Sequence, residues 1–435
     1  MVLFEPDNPV VVGFATQKPH YDRLWDNTVA LRDNYGLRQT FRGLHLRTHP
    51  NNDIAAAQVQ LLRADEIVFD DGFRDSITTP LTANIAAAGV GGLDTGAEAA
   101  STWYEAWAVR KSTDGTRGLI LHRAKDYFLD ETYLTGADAA SQIRYLTGNR
   151  TKVAQGFKVD TSGLMEFADV TLIRSGAVVG SVWLTVEADV AGFPSGTPLA
   201  TSDKLDASKI STSNQTIRFV FRTPATLTAT TQYHLVATGD WAQSDTVHIA
   251  WACDVSASTY ANGAVAIYQG GAWAAQTRDA MFRVYVTRND LAVTMPAGYD
   301  QKVRCGFFYN NSGSNLVPAT AFDRLVSPLV TQALATVTVL APTLVDLSAL
   351  VPPIPVALSA WIYNTTNGAL VIVSPVPDGF GNLTSYRDHG SSHARNPTGT
   401  EGLQVELQPV LTEYQACYLA TNLGNFESRM GMWRW

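Results

Sequence analysis

The sequence predicts an all-β, multi-domain protein built from β-sandwiches, with one short helix near the N-terminus. Three observations carry this expectation. Apolar and polar residues alternate with a period of two in many short stretches, most clearly at Ser181–Glu187. There Val182, Leu184 and Val186 fall on one side of an extended chain, and Trp183, Thr185 and Glu187 on the other. Turn-forming Gly, Pro, Asn and Asp punctuate these stretches. Hydrophobic residues make up 46% of the 435 and charged residues only 17%, so the surface must be polar through Thr, Ser, Asn, Gln and Gly. A chain of this length divides into two or three domains.

Residues 1–35 read as an arm followed by the short helix. Val10–Val12 lies between Pro9 and Gly13 as an extended segment. Pro19 then suits a first helical turn, Tyr21, Leu24, Thr28 and Leu31 recur at helical spacing, and Asn34 with Gly36 supplies the stop. Residues 36–123 return to alternation. Trp103 to Arg110 and Leu119 to Leu121 flank Asp114-Gly115, the pattern of a hairpin with that dipeptide at its tip.

Residues 124–149 hold no clean period and read as a connector, with a short helix expected over Asp138–Leu146. Residues 150–288 contain the Ser181 strand, after which Gly192, Pro194, Ser195, Gly196 and Pro198 crowd together, a density of turn formers that predicts a loop. Residues 289–435 resume strand signals at 335–340, 345–347, 356–363, 369–373, 403–407 and 414–420. Pro352 and Pro353 exclude a central strand at their own position.

The charge is formally −8 with a pI near 5.5, which argues against a phosphate-backbone binder and so against nucleic acid. No apolar run approaches a membrane span, and Met1–Asn27 lacks the layout of a signal peptide. The chain is expected to be made in a cytoplasm and to leave it, if at all, by a route that needs no signal peptide, of which assembly into a particle released by lysis is one. Cys253, Cys305 and Cys417 are widely spaced and read as buried thiols. No heptad run predicts a coiled-coil shaft.

Catalytic and metal chemistry find little purchase. Asp65-Glu66, Asp70-Asp71 and Asp130-Glu131 are adjacent pairs, and neighbours on a strand point to opposite faces, so they read as turn and edge charges. His45 with His49, and His389 with His393 in a polar loop, lack a third ligand of suitable spacing. No cofactor, no metal and no enzymatic activity are expected. The aromatic residues between Gly239 and Gln276 are better candidates. A sugar presents a C–H face that stacks on an aromatic plane, and Trp241, Trp273, Tyr260 and Tyr268 sit among Gly, Ser, Ala and Asn. Trp241 and Trp273 follow turns, whereas Trp251 lies in an alternating strand and reads as core.

Several segments also resemble known families. The run from Ser181 through Gly192-Phe193-Pro194-Ser195-Gly196-Thr197-Pro198 to Asp206-Ala207-Ser208 resembles a jelly-roll module akin to carbohydrate-binding modules, which recurs in phage tail proteins and bacterial surface proteins; the likeness covers Val153–Val286. Gly92-Leu93-Asp94-Thr95-Gly96, Ser101–Tyr104 and the Asp114-Gly115 hairpin resemble a β-domain of phage tail-fibre proteins. Its expected continuation appears only at Pro296-Ala297-Gly298-Tyr299 and Lys302–Tyr309, and the closing MGMWRW is similar to the last strand of such domains. LWDNTVALRDN resembles the N-terminal helix of the same proteins, which implies virion docking or trimerisation by Leu24, Trp25, Asn27, Leu31 and Arg32; an amphipathic helix packing on its own domain is the alternative.

The resemblance implies that 36–123 and 289–435 form one discontinuous fibre-type domain with the 150–288 module inserted; three consecutive sandwiches are the alternative. It implies a virion protein, most simply a tail fibre or baseplate-associated receptor-binding component that contacts other tail or baseplate proteins and host cell-surface glycan, assembled as a homotrimer. A head-decorating fibre or spike and a glycan-cleaving enzyme with a binding module are the alternatives. A calcium site using Asp189 and Asp254 rests on the same analogy alone.

Overall fold

The structure is a computed structural model. It describes residues 41–48, 57–136, 143–145, 150–242, 244–256, 258–288, 292–322, 325–328, 332–337 and 343–353, and beyond these the strands Val356–Asn364, Leu370–Ser374, Ser392–Arg395, Leu403–Glu406, Val410–Thr412, Ala416–Thr421 and Phe426–Arg434. The N-terminal arm and helix, with Leu24, Trp25, Asn27, Leu31 and Arg32, lie outside the described residues, as do His49 and His389.

Antiparallel strands account for the architecture, and the described residues contain no α-helix; a single 3-10 turn spans Ala207–Lys209 under an Asp206 cap. Among the described residues two large hydrophobic cores form, and they have no residue in common. One draws on Phe41 to Ala124 and on Val303 to Val351. The other draws only on residues between Tyr133 and Val286.

The first core is organised around the Asp114-Gly115 hairpin. Thr102–Arg110 pairs with Arg117–Arg123, Gly115 takes φ +75°, and the Asp114 carboxylate accepts from the Thr116 N–H at 2.8 Å, so the dipeptide supplies both the left-handed residue and the cap. On its other edge Thr102–Arg110 pairs with Gln301–Asn310 along its whole length, with Arg110 opposite Gln301 and Thr102 opposite Asn310. The chain thus returns after nearly two hundred residues to complete a three-stranded sheet. Asp94 helps hold the return, accepting from the Thr294 N–H at 2.9 Å while paired with His122 at 2.8 Å. A twelve-stranded sheet joins His45–Thr48 and Gln58–Val68 to Ala319–Phe322 and onward to the terminal strand Phe426–Arg434.

The second core lies between two seven-stranded sheets, a sandwich. One sheet runs in the order Phe193–Thr201, Ser181–Val190, Gln232–Gly239, Arg150–Lys158, Val265–Gln269, Ala272–Ala275. The other is built on Gly163–Ser175, flanked by Gln215–Leu227, His248–Asp254 and Phe282–Arg288. Val182, Leu184, Val186, Val153, Phe157 and Leu235 face Val170, Ile217, Phe219, Ile249, Trp251 and Phe282 across the interior, as period-two alternation requires. The chain enters and leaves this sandwich side by side: Asp126–Tyr133 pairs with Phe282–Arg288, Asp126 opposite Arg288. Adjacent ends are the geometry at which one domain can be spliced into another.

Four expectations are corrected. Within the stretch read as a connector, Asp126–Tyr133 pairs with Phe282–Arg288 and Ile143–Tyr145 with His248–Asp254, both in the second sheet; of the short helix expected over Asp138–Leu146, the described residues Ile143–Tyr145 are a strand. Phe193–Thr201 is a strand despite its prolines. It sits at the sheet edge, where missing N–H groups cost nothing, and register shifts beside Glu187 take up the irregularity. Ser392–Arg395, with His393, is a strand paired to Leu370–Ser374 and not a loop. Glu131 is interior, as described below.

Candidate functional site

The outer face of the Ser181–Val190 sheet carries the most suggestive arrangement. Trp183 pairs with Thr238, Thr238 with Lys152, Lys152 with Tyr268, and Tyr268 with Trp273, so these five residues form one row straight across five strands. Their neighbours Val182, Val153 and Ile267 lie in the core, so alternation turns this row outward. At a strand spacing of ~4.8 Å, Trp183 and Tyr268 stand about 14 Å apart.

Tyr268 and Trp273 meet edge to face, ring centroids 5.2 Å apart, across a two-residue hairpin made by Gly270 (φ +61°) and Gly271 (φ +89°). Lys152 Nζ lies 5.8 Å from the Tyr268 ring, and Lys204 Nζ lies 4.2 Å from that of Trp183.

Behind this row the floor drops. The next row is Thr185, Val236, Ala154, Ala266 and Ala275, and the small side chains let Phe193 and Trp273 lean in over Ala154, Val236 and Ala266. Glu187, His234 and Gly156 form the row after that. His234 Nε2 contacts Asp189 Oδ1 at 2.7 Å, which orients the imidazole, while its buried Nδ1 has no hydrogen-bond partner among the described residues. Burial holds the His234 pKa below its ordinary value, against the pull of Asp189. Glu187 accepts from the Gly196 N–H at 2.6 Å and from the Thr185 hydroxyl at 3.1 Å, tying the Phe193–Thr201 edge over the face.

The opposite face of the sandwich is occupied by the protein itself. Gln215–Leu227 lies against Thr343–Asp346, and the charge of Asp346 reaches Arg218 and Tyr285. Here Asp169, fully buried, takes two hydrogen bonds from Arg218 (2.7 and 3.0 Å) and one from the Tyr285 hydroxyl at 3.1 Å. The Arg218 guanidinium lies over Phe167 at 4.1 Å and Tyr285 at 4.9 Å. Burial opposes its charge, and Asp169 more than offsets that, raising the Arg218 pKa above its ordinary value.

The four aromatic residues singled out from sequence separate into two groups. Tyr268 and Trp273 stand together on the outer face, half-buried. Trp241 does not: it is 6% exposed and belongs to the core, its ring lying so close over Gly239 that a Cβ there would be 1.7 Å from Cζ3. No ring face is left for a ligand. Tyr260 packs edge to face on Phe282 and donates a hydrogen bond from its hydroxyl to Glu131 at 2.6 Å, which makes it an interior brace. Trp183 and Lys152, not among those four, complete the outward row. The available signal for Trp183 was a large aromatic on the wet side of a clean alternation; nothing local in sequence places Lys152 between it and Tyr268.

Glu131, 7% exposed, also accepts from Asn262 at 3.4 Å, and burial raises its carboxyl pKa. Its neighbour Asp130 is a backbone cap for Asp160 and Thr161. Glu66 pairs with Arg74, and Asp71 caps the turn at Phe73. Asp189 and Asp254 are not brought together: Asp189 is held by His234 in one sheet, Asp254 by the Tyr133 hydroxyl at 2.7 Å in the other. Among the described residues no three His, Cys, Asp or Glu side chains are placed to hold a metal ion. Cys253 and Cys305 are free and buried, and burial pushes the Cys305 thiol up to about 12. No helix among the described residues is long and apolar enough to cross a membrane.

No protein-family model and no curated protein matches the chain, so its reading rests on the residues themselves.

Proposed function

We propose that the chain is an adhesive structural protein of a tailed phage or phage-like particle, a tail fibre or baseplate-associated receptor-binding component, whose 150–288 module contacts cell-surface glycan. Residues 36–123 and 289–435 form the domain that carries the module, and the segment before residue 36 docks it to other virion proteins. Three copies assemble, because a trimer buries edge strands that one copy leaves open.

The observation that carries this reading is the row Trp183, Thr238, Lys152, Tyr268 and Trp273 on the face opposite the one that rests against Thr343–Asp346. Aromatic planes separated by hydroxyl and ammonium donors suit a sugar chain, which needs stacking surface and polar partners together. The separate cores and adjacent chain crossings support a module displayed from a scaffold.

The test is competition. Purified protein added to host cells blocks adsorption of the particle, and Trp273→Ala protein does not. Equal blocking by both, or the release of new reducing ends from host polysaccharide, contradicts the proposal.

A further inference from the structure

Lys152 sits at the centre of the outward row and has an unusual electrostatic position. The acids near this face are already engaged: Asp189 with His234, Asp240 with Lys204 and the Ser181 N–H, and Glu187 with Gly196 and Thr185. Lys204, at the Trp183 end, has its charge met by Asp240 at 3.2 Å. Lys152 has no such counter-charge among the described residues. Its ammonium lies over the Tyr268 ring, 5.8 Å from the centroid, and its strand neighbours Thr238 and Tyr268 are neutral. A half-buried cation flanked by aromatic planes, in a chain of net charge −8, is a local reversal of the molecule's overall sign.

We infer that this face takes a negatively charged glycan, with the anionic group of one sugar on Lys152 Nζ and neighbouring rings stacked on the Tyr268–Trp273 pair and on Trp183. The inference rests on the glycan-contact reading above and specifies the ligand class. The spacing is consistent with it: Lys152 is one strand, about 5 Å, from Tyr268 and two strands, about 10 Å, from Trp183. A single anion at the row's centre leaves both aromatic ends free to hold adjacent rings. A lysine serves here as a point charge, without the fixed fork of an arginine, so it accepts a carboxylate or a phosphate ester alike.

The experiment measures binding of the full chain to three immobilised polymers: a neutral glucan, a uronate polymer and a sugar-phosphate polymer, each at low and high salt. The charged polymers bind more tightly than the neutral one, and their advantage shrinks with salt. Lys152→Gln lowers affinity for the charged polymers by roughly three- to tenfold and leaves neutral binding unchanged. Lys152→Arg retains the preference, and Lys111→Gln, at the hairpin tip of the other core, changes nothing. The comparison of uronate with phosphate polymer identifies which anion is taken. Equal binding of neutral and charged polymers, or a Lys152→Gln protein with its charge preference intact, overturns the inference while leaving glycan contact standing. Binding to none of the polymers, by a protein that still unfolds cooperatively, overturns the glycan reading and this inference with it.

Discussion

Replacing Asp169 by Ala tests the electrostatic anchor on the inner-lying face of the module. In the native protein its carboxylate is fully buried and is the common acceptor for Arg218 and Tyr285, with the Arg283 guanidinium 3.6 Å away. The Arg218 side chain is only 6% exposed, so water cannot replace the lost partner. Breaking a buried pair by removing one member costs about 3–5 kcal/mol, because the remaining charge keeps its desolvation penalty. Against a typical stability of roughly 5–15 kcal/mol, that is a large share.

The pair itself is not expected to be worth that much. Asp169→Ala with Arg218→Met removes both charges, and such apolar replacements are about neutral or better. Urea unfolding followed by tryptophan fluorescence reads both variants, with the slope compared to check that the transition stays the same. The single variant loses about 3–5 kcal/mol and the double variant regains most of it. A single variant within about 1 kcal/mol of the parent would refute the claim that Arg218 is charged and unreachable by water.

Four further outcomes follow. Gly239→Ala forces a methyl group into the Trp241 ring, 1.7 Å from Cζ3, and destabilises by at least the ~1–3 kcal/mol of an overpacked core; an unchanged denaturation midpoint would contradict the placement of that ring. Trp251→Ala, in the interior, costs about 3–5 kcal/mol, whereas Trp273→Ala costs markedly less while abolishing adsorption competition; the reverse order of stability loss would contradict their burial. His234 has its folded pKa depressed by burial, so the unfolded chain binds the extra proton and the residue's stabilisation fades as pH falls through about 6.5; the stability difference between the parent and His234→Gln shrinks between about pH 7 and pH 5, and a widening difference would contradict it. Cys253 and Cys305, buried with pKa values pushed up, react with a thiol reagent only at the rate of unfolding, and rapid labelling of either in native protein, read by peptide mass spectrometry, would contradict their burial.

Much of the fold was legible because its signals are local. Val182, Leu184 and Val186 announce one buried face, and Asp114-Gly115 carries its turn chemistry in two letters. What escaped was set by distant partners. Asp126–Tyr133 reads poorly because its charged residues blur alternation, and it is made a strand by Phe282–Arg288, roughly a hundred and fifty residues further along the chain. Phe193–Thr201 looks like a loop because proline density argues against a central strand, yet says nothing against an edge.

The site was half legible for the same reason. Tyr268 and Trp273 announce themselves around Gly270-Gly271. Trp241 follows a similar turn signal, Gly239-Asp240, but there the glycine makes room for the ring to fold inward. Whether an aromatic after a glycine points to water or to core depends on the strand beneath it. The contribution of Lys152 exists only once four strands are in register.

Oxidative footprinting tests the account most directly. Hydroxyl radicals are applied to the protein with and without host surface polysaccharide, and side-chain oxidation is read by mass spectrometry. Trp183, Tyr268 and Trp273 become protected together on adding polysaccharide, while half-buried Trp107, on the Thr102–Arg110 strand, stays as reactive as before. Unchanged oxidation of all three, or protection confined to Trp107 and its surroundings, would contradict it.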